Sequence, residues 1–345
     1  MPQTGRTSMI WNKTTIEIES GQSVEAQAPV IISASRSTDI PAFYADWFFK
    51  RLKEGYVKWT NPFNGVPLFV SFQNTRLIVF WSKNHQPIIK YLDYLNEKNI
   101  NYYFQFTLND YDVEKLEPRV PNVQTRIETF IELSEKVGKE KVIWRFDPLI
   151  LTDKIGVDEL LKKVENIGNQ LKKHTDKLVF SFANIKIYKN VLKNLKNNAI
   201  QYQEFNERSM TDFATGLQRL NENWRFELAT CAEQIPLEKY GINHNKCVDD
   251  DLMIKLFSHD KALMDFLGVK ITPPDIFNPN GAIEKKRNNK DKGQRQFCGC
   301  IISKDIGEYN TCPHLCAYCY ANANKNTALA NWEYHKHNPD KETIK

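Results

Sequence analysis

The 345-residue chain lacks the sequence features of several large protein classes. No stretch approaches the ~18 consecutive apolar residues of a membrane-spanning helix, and residues 1–18 contain no apolar signal-peptide core. The chain has no GxSxG elbow, no P-loop and no HExxH pair, which argues against the enzyme classes that depend on those motifs. We therefore expect a soluble, cytoplasmic protein with no membrane partner and with chemistry of another kind.

Glycine and net charge are both limited. The 14 glycines form no glycine-rich loop after any predicted strand, so the usual evidence for a dinucleotide-binding sheet is missing. The net charge is only +5, and the densest basic run, residues 284–295, has the composition of a solvated linker. This charge permits nucleic acid as a partner but does not require it.

Short apolar runs alternate with amphipathic stretches along most of the chain. We predict strands at 29–36, 68–72, 77–81, 102–108, 141–146, 177–182 and 225–230, and helices at 42–54, 87–96, 123–137, 157–174, 186–197 and 207–222. Residues 68–72 and 77–81 flank a short polar segment and are interpreted as a hairpin. The remaining alternation is typical of parallel βαβ units. It predicts an α/β fold, a TIM-like (β/α) barrel that is incomplete at six to eight strands.

The same patterns give a division into three parts. Residues 1–28 are polar and weakly patterned and are predicted to form an N-terminal arm. Residues 29–270 form the barrel, and residues 271–345 form a cysteine-rich iron–sulfur segment packed on the barrel mouth.

Seven cysteines are present, an odd number that suits metal or cluster ligation in a reducing compartment better than a disulfide framework. Three of them fall within eight residues: Cys312, Cys316 and Cys319, called the motif cysteines below. Thiolates this close can converge on one inorganic centre, and an iron–sulfur cube would accept all three and keep one iron open. The alternative is structural zinc, completed by Cys298, Cys300 or His314.

The other four cysteines are Cys231, Cys247, Cys298 and Cys300, called the dispersed cysteines below. Four thiolates are the full ligand set of a second, closed cluster. Cys231 ends a predicted strand and so lies at the edge where the cysteine-rich segment would sit. Zinc, or buried cysteines that act only as small apolar side chains, are the alternatives.

Charged and polar residues follow the predicted strands, at the edge where barrel enzymes build their sites. The catalytic candidates among them are Arg36, Asp39, Lys83, Arg145 and Asp147, and the cofactor-binding candidates are Asn84 and Glu233. An arginine there would grip a carboxylate through two parallel hydrogen bonds. The alternative is a salt-bridge network that closes the mouth, for instance Arg145 with Asp147 or Arg36 with Asp39.

The spacing of the motif cysteines resembles the CxxxCxxC signature of radical S-adenosylmethionine (SAM) enzymes. That resemblance implies a 4Fe–4S cluster whose open iron is chelated by SAM, with Tyr318 beside the adenine. It also implies a flavodoxin or ferredoxin as electron donor, and a 5′-deoxyadenosyl radical that removes hydrogen from an unknown substrate. In that family the motif follows the first barrel strand, whereas here it lies close to the end of the sequence.

Four segments, residues 33–39, 80–84, 144–147 and 297–324, are similar to the DUF1848 family, whose members carry radical SAM-like cysteines. The resemblance spans most of the chain and implies a cofactor class but no substrate. Two other functions stay open. One is an iron–sulfur electron-transfer or sensing protein without SAM chemistry, and the other is a zinc-stabilised nucleic-acid-binding module.

Overall fold

The main element of the fold is an eight-stranded parallel sheet. The structure, a computed structural model, describes residues 11–62, 64–274 and 281–345. The strands are β1 (Lys13–Glu17), β2 (Ser23–Gln27), β3 (Ile31–Ala34), β4 (Tyr56–Thr60), β5 (Pro67–Ser71), β6 (Leu77–Ser82), β7 (Asn101–Thr107), β8 (Val142–Leu149), β9 (Leu151–Thr152), β10 (Lys177–Phe182), β11 (Tyr202–Gln203), β12 (Glu227–Thr230), β13 (Ile242–His244), β14 (Val269–Thr272), β15 (Ala282–Lys285) and β16 (Lys304–Asp305). The α-helices are α1 (Ile40–Phe43), α2 (Ala45–Glu54), α3 (Leu92–Glu97), α4 (Val123–Val137), α5 (Val157–Leu171), α6 (Lys189–Asn197), α7 (Glu207–Trp224), α8 (Asp250–Phe257), α9 (Lys261–Leu267) and α10 (Lys325–His337), and short 3₁₀ helices lie at Gln86–Tyr91, Lys139–Lys141, Ile185–Ile187 and Glu238–Tyr240. Within the described residues, no helix is both long and apolar enough to cross a membrane.

The strand order of the main sheet is β16-β3-β6-β7-β8-β10-β12-β13, and every neighbouring pair is parallel. The order follows the chain from β3 to β13, and the last strand, β16, returns to lie beside the first. No pairing joins β13 to β16 in the part of the chain that the structure describes, so the sheet does not close into a ring. The predicted α/β class with a parallel sheet is confirmed, whereas a closed TIM barrel is not found.

The strands of the main sheet are apolar on both faces because each face packs against its own layer. In β6, Ile78 and Phe80 belong to the larger core, which also contains side chains of α2 to α7. Leu77 and Val79 belong to a second core on the opposite face, called the inner face below. That core also contains side chains of α8 and α9 together with Cys247, Cys298 and Cys300.

A second sheet, with the order β1-β2-β5-β4, packs into the larger core through Val57 and Val70. It shows that the predicted hairpin of 68–72 and 77–81 is wrong. β5 pairs with β2 and β4, whereas β6 enters the main sheet between β3 and β7. The β1–β2 hairpin also gives regular structure to part of the predicted N-terminal arm, of which residues 1–10 lie outside the described residues.

The C-terminal segment contributes to the main sheet as well as packing on it. The predicted boundary at residue 270 falls inside β14, which pairs with β15, and β16 is a strand of the main sheet. The last residues pack against α2, where the Trp47 Nε1 donates to the Lys341 carbonyl at 2.8 Å and Ile344 is buried. The segment is therefore integrated into the fold.

Candidate functional site

The short strand β16 places the motif cysteines at the carboxyl edge of the main sheet. It pairs in parallel with β3, so the residues after β16 leave the sheet at the edge where residues 35–39 leave it. The Asp305 carboxylate fixes this register, because it accepts hydrogen bonds from the Ser33 Oγ at 3.0 Å and from the Arg36 backbone N–H at 2.8 Å. A motif near the end of the sequence thus reaches the edge next to the first strand of the main sheet.

Gly307 allows the chain to turn tightly after β16. A Cβ atom at this position would lie 1.8 Å from the Ser35 Oγ and 2.8 Å from the Ser37 Oγ. The Gly307 carbonyl also accepts a hydrogen bond from the Trp59 Nε1 at 2.9 Å. Only glycine permits this close approach of the cysteine-bearing segment to the segment after β3.

The motif cysteines lie on one buried loop that hydrogen bonds hold closed. The Cys319 N–H donates to the Cys316 carbonyl at 3.1 Å, and the buried Asn322 donates from its side chain to the Cys312 carbonyl at 2.7 Å. The Asn322 backbone N–H lies 3.3 Å from the Cys319 Sγ. Burial raises the pKa of all three thiols, so a metal centre would have to displace their protons.

The spacing of the motif cysteines is wider than that of a zinc site. Their three sulfur atoms do not all lie within 4.8 Å of one another in the described residues. Tetrahedral zinc, with Zn–S bonds of about 2.3 Å, would bring every pair of sulfurs to about 3.8 Å. A cluster spreads its thiolates over separate iron corners and is compatible with the wider spacing.

One acidic group is compact enough to hold a single ion, but its charge is already balanced. Asp249, Asp250 and Asp251 are the one set in the described residues whose three ligand atoms lie within 4.8 Å of one another. Lys246 pairs with Asp250 at 2.8 Å, and Lys285 also pairs with it. The three aspartates lie at the start of a helix, and lysines neutralise their charge.

His314 is engaged through both ring nitrogens. Its Nε2 lies 2.9 Å from the Asp39 Oδ2, and its Nδ1 lies 3.1 Å from the Arg119 carbonyl oxygen. Neither ring nitrogen is free in this arrangement, and zinc ligation by His314 stays a prediction. The ring fastens the cysteine loop to the segment after β3.

Asp39 accepts four hydrogen bonds and acts as the anchor for His314. The Ser82 hydroxyl donates to it at 2.5 Å, the Lys83 backbone N–H at 2.9 Å, and the Ala42 backbone N–H at 3.1 Å, which caps α1. Burial alone would raise the pKa of Asp39, but the His314 and Ser82 hydrogen bonds lower it below its usual value. These contacts are those of a positioning residue, and a direct catalytic role for Asp39 stays a prediction.

A buried ionic network lies against the motif cysteines. The Lys83 Nζ is 2.7 Å from a Glu117 oxygen and 2.9 Å from the Tyr318 hydroxyl, and the Arg126 Nη1 is 3.2 Å from the other Glu117 oxygen. Burial would raise the pKa of Glu117, but Lys83 and Arg126 lower it to about 2. The Cys316 thiol belongs to the same electrostatic environment, because a charge on it would raise the pKa of Lys83. One ionised carboxylate thus lies between two cations beneath the loop.

Tyr318 and Asn84, two predicted cofactor-binding residues, have their polar groups engaged within the protein. The Tyr318 hydroxyl donates to Glu117 and accepts from the Asn109 Nδ2 at 2.9 Å. The Asn84 Oδ1 accepts from the Gln86 N–H at 3.2 Å, at the start of a 3₁₀ helix. Contact of either residue with a cofactor stays a prediction.

Arg145 and Asp147 form the salt bridge that the alternative interpretation foresaw. The Arg145 Nη2 pairs with Asp147, whose other oxygen accepts from the Ser181 hydroxyl. The Arg145 Nη1 donates to the Gln105 Oε1 at 3.1 Å and to the Cys247 Sγ at 3.0 Å. Arg145 is therefore tied to one of the dispersed cysteines.

Arg36 does not pair with Asp39, the second salt bridge of that interpretation. Its guanidinium lies 5.3 Å from the centre of the Trp81 ring, and that of Arg145 lies 5.4 Å from the same ring. In the described part of the chain, the Arg36 Nη2 and the Trp81 Nε1 are buried donors without a hydrogen-bond partner. These two unpaired donors lie at one point of the carboxyl edge, where a water or an anionic or carbonyl-bearing ligand would satisfy them.

The structure brings the dispersed cysteines together on the inner face. The Cys231 Sγ and Cys247 Sγ are 3.6 Å apart, and the Cys247 N–H donates to the Cys300 Sγ at 3.2 Å. A hydrogen bond between the side chains of Cys298 and Cys300 lowers the pKa of Cys298. Glu233, the last predicted site residue, accepts from the Phe182 N–H at 3.0 Å beside this group, and burial raises its pKa to about 7.

Glu117 and Arg126 were not in the predicted set of site residues. The sequence pattern could have indicated that Arg126 is buried, because the helical spacing of α4 places it on the buried face with Phe130 and Leu133. Glu117 lies in an irregular segment between β7 and α4, where no periodicity marks a buried side chain.

The comparisons with known proteins are few. No curated protein matches the chain. Among solved structures, it is similar to a putative alpha-L-fucosidase from Bacteroides thetaiotaomicron VPI-5482, at 9% identity and a TM-score of 0.26, over 50% of this chain and 77% of that one. A likeness at this level carries no argument about fold or function. Residues 31–321 match the family model described as "Domain of unknown function (DUF1848)", which spans most of the sequence, and the chain therefore belongs to the DUF1848 family.

Proposed function

We propose that this protein is an iron–sulfur enzyme of the radical SAM type, in which the motif cysteines hold a 4Fe–4S cluster and leave one iron for SAM. One observation carries the proposal: a single buried loop brings three thiols to the carboxyl edge of a parallel sheet without adding a fourth ligand. The loop's histidine is engaged elsewhere, and Cys300 lies with Cys247. A three-cysteine site with one open iron is the arrangement that SAM requires.

The TIM-like barrel is part of the same proposal. The strands of the main sheet follow the chain and the last lies beside the first, which is the order of a (β/α) barrel with one unpaired seam. The segments that cover the inner face, residues 245–269 and 298–301, are suited to fill such a seam. Barrel enzymes place their chemistry at the carboxyl edge, where the motif cysteines lie.

The residues around the loop fit a cluster in spacing, burial and charge. The sulfur spacing exceeds that of zinc, Cys316 is buried, and the Lys83 ammonium is close enough to favour a thiolate there. When bound, such a cluster passes one electron to SAM, which is cleaved to methionine and a 5′-deoxyadenosyl radical that removes hydrogen from a substrate.

The protein's own groups would bind, orient and exclude water. Arg36 offers an unpaired buried N–H that would grip a carboxylate, either that of SAM or that of a substrate. Trp81 supplies a second donor and an apolar wall beside it. Glu117, held ionised by Lys83 and Arg126, accepts a hydrogen bond from the Tyr318 hydroxyl and so fixes the ring that precedes the third motif cysteine.

The zinc-module alternative has weaker support. Its nucleic-acid contact would come from residues 284–295, yet Lys285 pairs with Asp250 and Lys286 lies 3.7 Å from Glu284. The protein's own carboxylates therefore neutralise part of this run. The iron–sulfur electron-transfer alternative would require a fourth protein ligand at the motif cysteines.

The test is anaerobic purification and reconstitution with iron and sulfide, followed by electron paramagnetic resonance of the reduced protein with and without SAM. We expect a cluster signal that SAM changes, together with formation of 5′-deoxyadenosine. Cys316→Ser should abolish the SAM response, whereas Ser303→Ala, four residues before Gly307 in the same segment, should keep it. A signal indifferent to SAM would favour the electron-transfer protein, and stoichiometric zinc without iron would remove the enzyme proposal.

A further inference from the structure

We propose that the dispersed cysteines bind a second 4Fe–4S cluster, ligated entirely by the protein, that relays electrons to the site of the motif cysteines. The relay rests on the proposed function, whereas the cluster site itself rests only on the contacts below. The site lies on the inner face of the main sheet, and Cys247, Cys298 and Cys300 are 2%, 6% and 3% exposed.

Topology brings the four sulfur atoms to one place. Cys231 follows β12 and Cys247 follows β13, and because these neighbouring strands are parallel their carboxyl ends meet at one edge. The Cys231 and Cys247 sulfurs are 3.6 Å apart. The loop with Cys298 and Cys300 then reaches this pair, because the N–H groups of Cys247 and Val248 donate to the Cys300 Sγ at 3.2 and 3.4 Å.

Gly299 permits this approach of the two segments. A Cβ atom there would lie 2.9 Å from the Lys246 Cγ and 3.3 Å from the Asn245 carbonyl oxygen. The glycine between Cys298 and Cys300 therefore lets their backbone pass against the segment that carries Cys247.

Two arginines contact sulfur atoms of the group and favour thiolates there. Arg145 donates to the Cys247 Sγ at 3.0 Å, and the Arg295 Nη2 lies 3.7 Å from the Cys231 Sγ. A cube with four thiolate ligands carries net negative charge, which these cations would offset.

The sulfur atoms also accept fixed hydrogen bonds. The Asn245 Nδ2 donates to the Cys247 Sγ at 3.1 Å, in addition to the Arg145 bond and the two backbone bonds on Cys300. Hydrogen bonds to sulfur are one of the main determinants of cluster reduction potential. Cysteines that only fill apolar space are not expected to accept this many hydrogen bonds.

The four sulfurs as a set are also spaced too widely for one zinc ion, although Cys231 and Cys247 alone, 3.6 Å apart, would suit one. No three of the four sulfurs lie within 4.8 Å of one another in the described residues. A tetrahedral zinc ion would require all pairs at about 3.8 Å. A disulfide between Cys231 and Cys247 would use two of the four thiols and give no role to Cys298 and Cys300.

One continuous route of hydrogen bonds connects the dispersed and motif cysteines. It runs through Asn109, which bonds the Tyr318 hydroxyl at 2.9 Å and the Asp147 N–H at 2.9 Å. Asp147 in turn pairs with Arg145, which contacts Cys247.

The relay transfers one electron and breaks no bond. A low-potential one-electron carrier protein, of the flavodoxin or ferredoxin kind, is oxidised by one electron. A cluster held by the dispersed cysteines would take up that electron and pass it on, and a cluster held by the motif cysteines would be the group finally reduced.

The decisive measurement is the metal content and spectrum of a variant without the motif cysteines. After anaerobic reconstitution, we expect Cys312→Ala/Cys316→Ala/Cys319→Ala to keep about four iron and four sulfide per chain, about half the wild-type content. Its reduced electron paramagnetic resonance signal should not respond to SAM. Stoichiometric zinc, or no metal, in this variant would overturn the second cluster.

A complementary pair of variants tests the relay. Cys247→Ala/Cys300→Ala should keep the SAM-responsive signal when dithionite is the reductant, but should be reduced at least tenfold more slowly by reduced flavodoxin. Equal rates with flavodoxin would overturn the relay. A wild-type protein with two clusters and no SAM response would refute the proposed function alone, because the second cluster would remain.

Arg295 offers a test that does not remove a ligand. Its side chain is exposed, so Arg295→Met should fold normally, and Lys292→Met in the same loop is the matched control. Loss of the Arg295 charge disfavours the more negative reduced state, so the reduction potential of the second cluster should shift to lower values. An unchanged potential in Arg295→Met, measured by redox titration of the triple-alanine background, would contradict the proposed location of the cluster.

Discussion

The motif cysteines and the dispersed cysteines reach the same edge of the main sheet by different means. The motif cysteines occupy one continuous loop, which the two-residue strand β16 sets beside β3. The dispersed cysteines come from the ends of β12 and β13 and from a loop more than 50 residues later in the chain. The first group is a local feature of the sequence, and the second exists only after the strands have paired.

The two groups also differ in how their charge is balanced. At the motif cysteines, the nearby cation Lys83 is already paired with Glu117. At the dispersed cysteines, Arg145 and Arg295 approach the sulfur atoms themselves. On the two proposals above, the second site is closed and arginines contact its sulfur atoms, although Arg145 is itself paired with Asp147, whereas the first leaves room for an additional ligand. The following variants test that difference.

The largest effect is expected at Arg145, whose loss should damage the dispersed-cysteine site alone. Arg145→Met leaves Asp147 without its ion-pair partner and removes the hydrogen bond to Cys247. We expect a loss of about 3–5 kcal/mol in the free energy of unfolding by urea, because a buried charge is left uncompensated. About half the iron should be lost, while the SAM-responsive signal remains. Loss of the SAM response with retention of the other cluster would reverse the assignment of the two sites.

Glu117 is the corresponding position at the motif cysteines. Glu117→Gln leaves the buried Lys83 without its anionic partner and leaves Arg126 with only the longer contact to Asp112, at 3.5 Å, and we expect a loss of about 3 kcal/mol in the free energy of unfolding. The matched control is Asp93→Asn, which breaks an exposed pair with Lys136 and should cost less than about 1 kcal/mol. Cluster loss should be confined to the SAM-responsive signal. Similar losses of stability in the two variants would show that solvent screens the ion pairs of Glu117 as it does the exposed pair.

The sequence predicted the regular parts of this fold because they follow simple patterns. The α4 bounds, Val123–Val137, agree with the prediction, since Asn122 caps a helix with clear apolar periodicity. The strand β16 could not be predicted, because its two residues, Lys304 and Asp305, are charged and form no apolar run. It is nevertheless the element that places the motif cysteines.

The candidate sites were predictable to different degrees for the same reason. The motif cysteines were visible from spacing alone, and the dispersed cysteines from the number of cysteines that remained. Their partners were not visible, because the contacts of Arg295 with Cys231 and of Glu117 with Lys83 join segments far apart in the chain. Asp39 shows what the sequence pattern leaves out. Its position after a strand predicted a catalytic role, whereas its four hydrogen bonds are those of a residue that anchors its neighbours.

Lys304 lies on the segment that connects the two cysteine groups and should make stability depend on pH. Burial lowers its pKa to about 8 from an ordinary value of 10.5, and its ammonium is 3.3 Å from the centre of the Trp59 ring. Between these two pH values the unfolded chain binds more protons than the folded one, so the free energy of unfolding should rise with pH. The rise is at most about 3 kcal/mol, from 1.36 kcal/mol per pKa unit.

Lys304→Met should flatten that rise, because the variant has no ammonium to bury. Urea unfolding of the anaerobic protein at intervals from pH 7 to pH 10 measures it, with Lys58→Met, a partly exposed lysine of β4, as the control. A wild-type profile that Lys304→Met leaves unchanged would show that this ammonium is solvated.

The smallest effect is expected at Asn322, which closes only the motif-cysteine loop. Asn322→Ala removes the hydrogen bond to the Cys312 carbonyl, worth about 1 kcal/mol, so an iron chelator should extract the motif-cysteine cluster about fivefold faster. Asn338→Ala, which removes an exposed bond to the Tyr334 carbonyl, is the matched control. The dispersed-cysteine cluster should be extracted at the wild-type rate in both variants, because its ligands are held by strand pairing and arginines. Equal acceleration of both clusters by Asn322→Ala would mean that they open together, and the two groups would then form one cooperative unit.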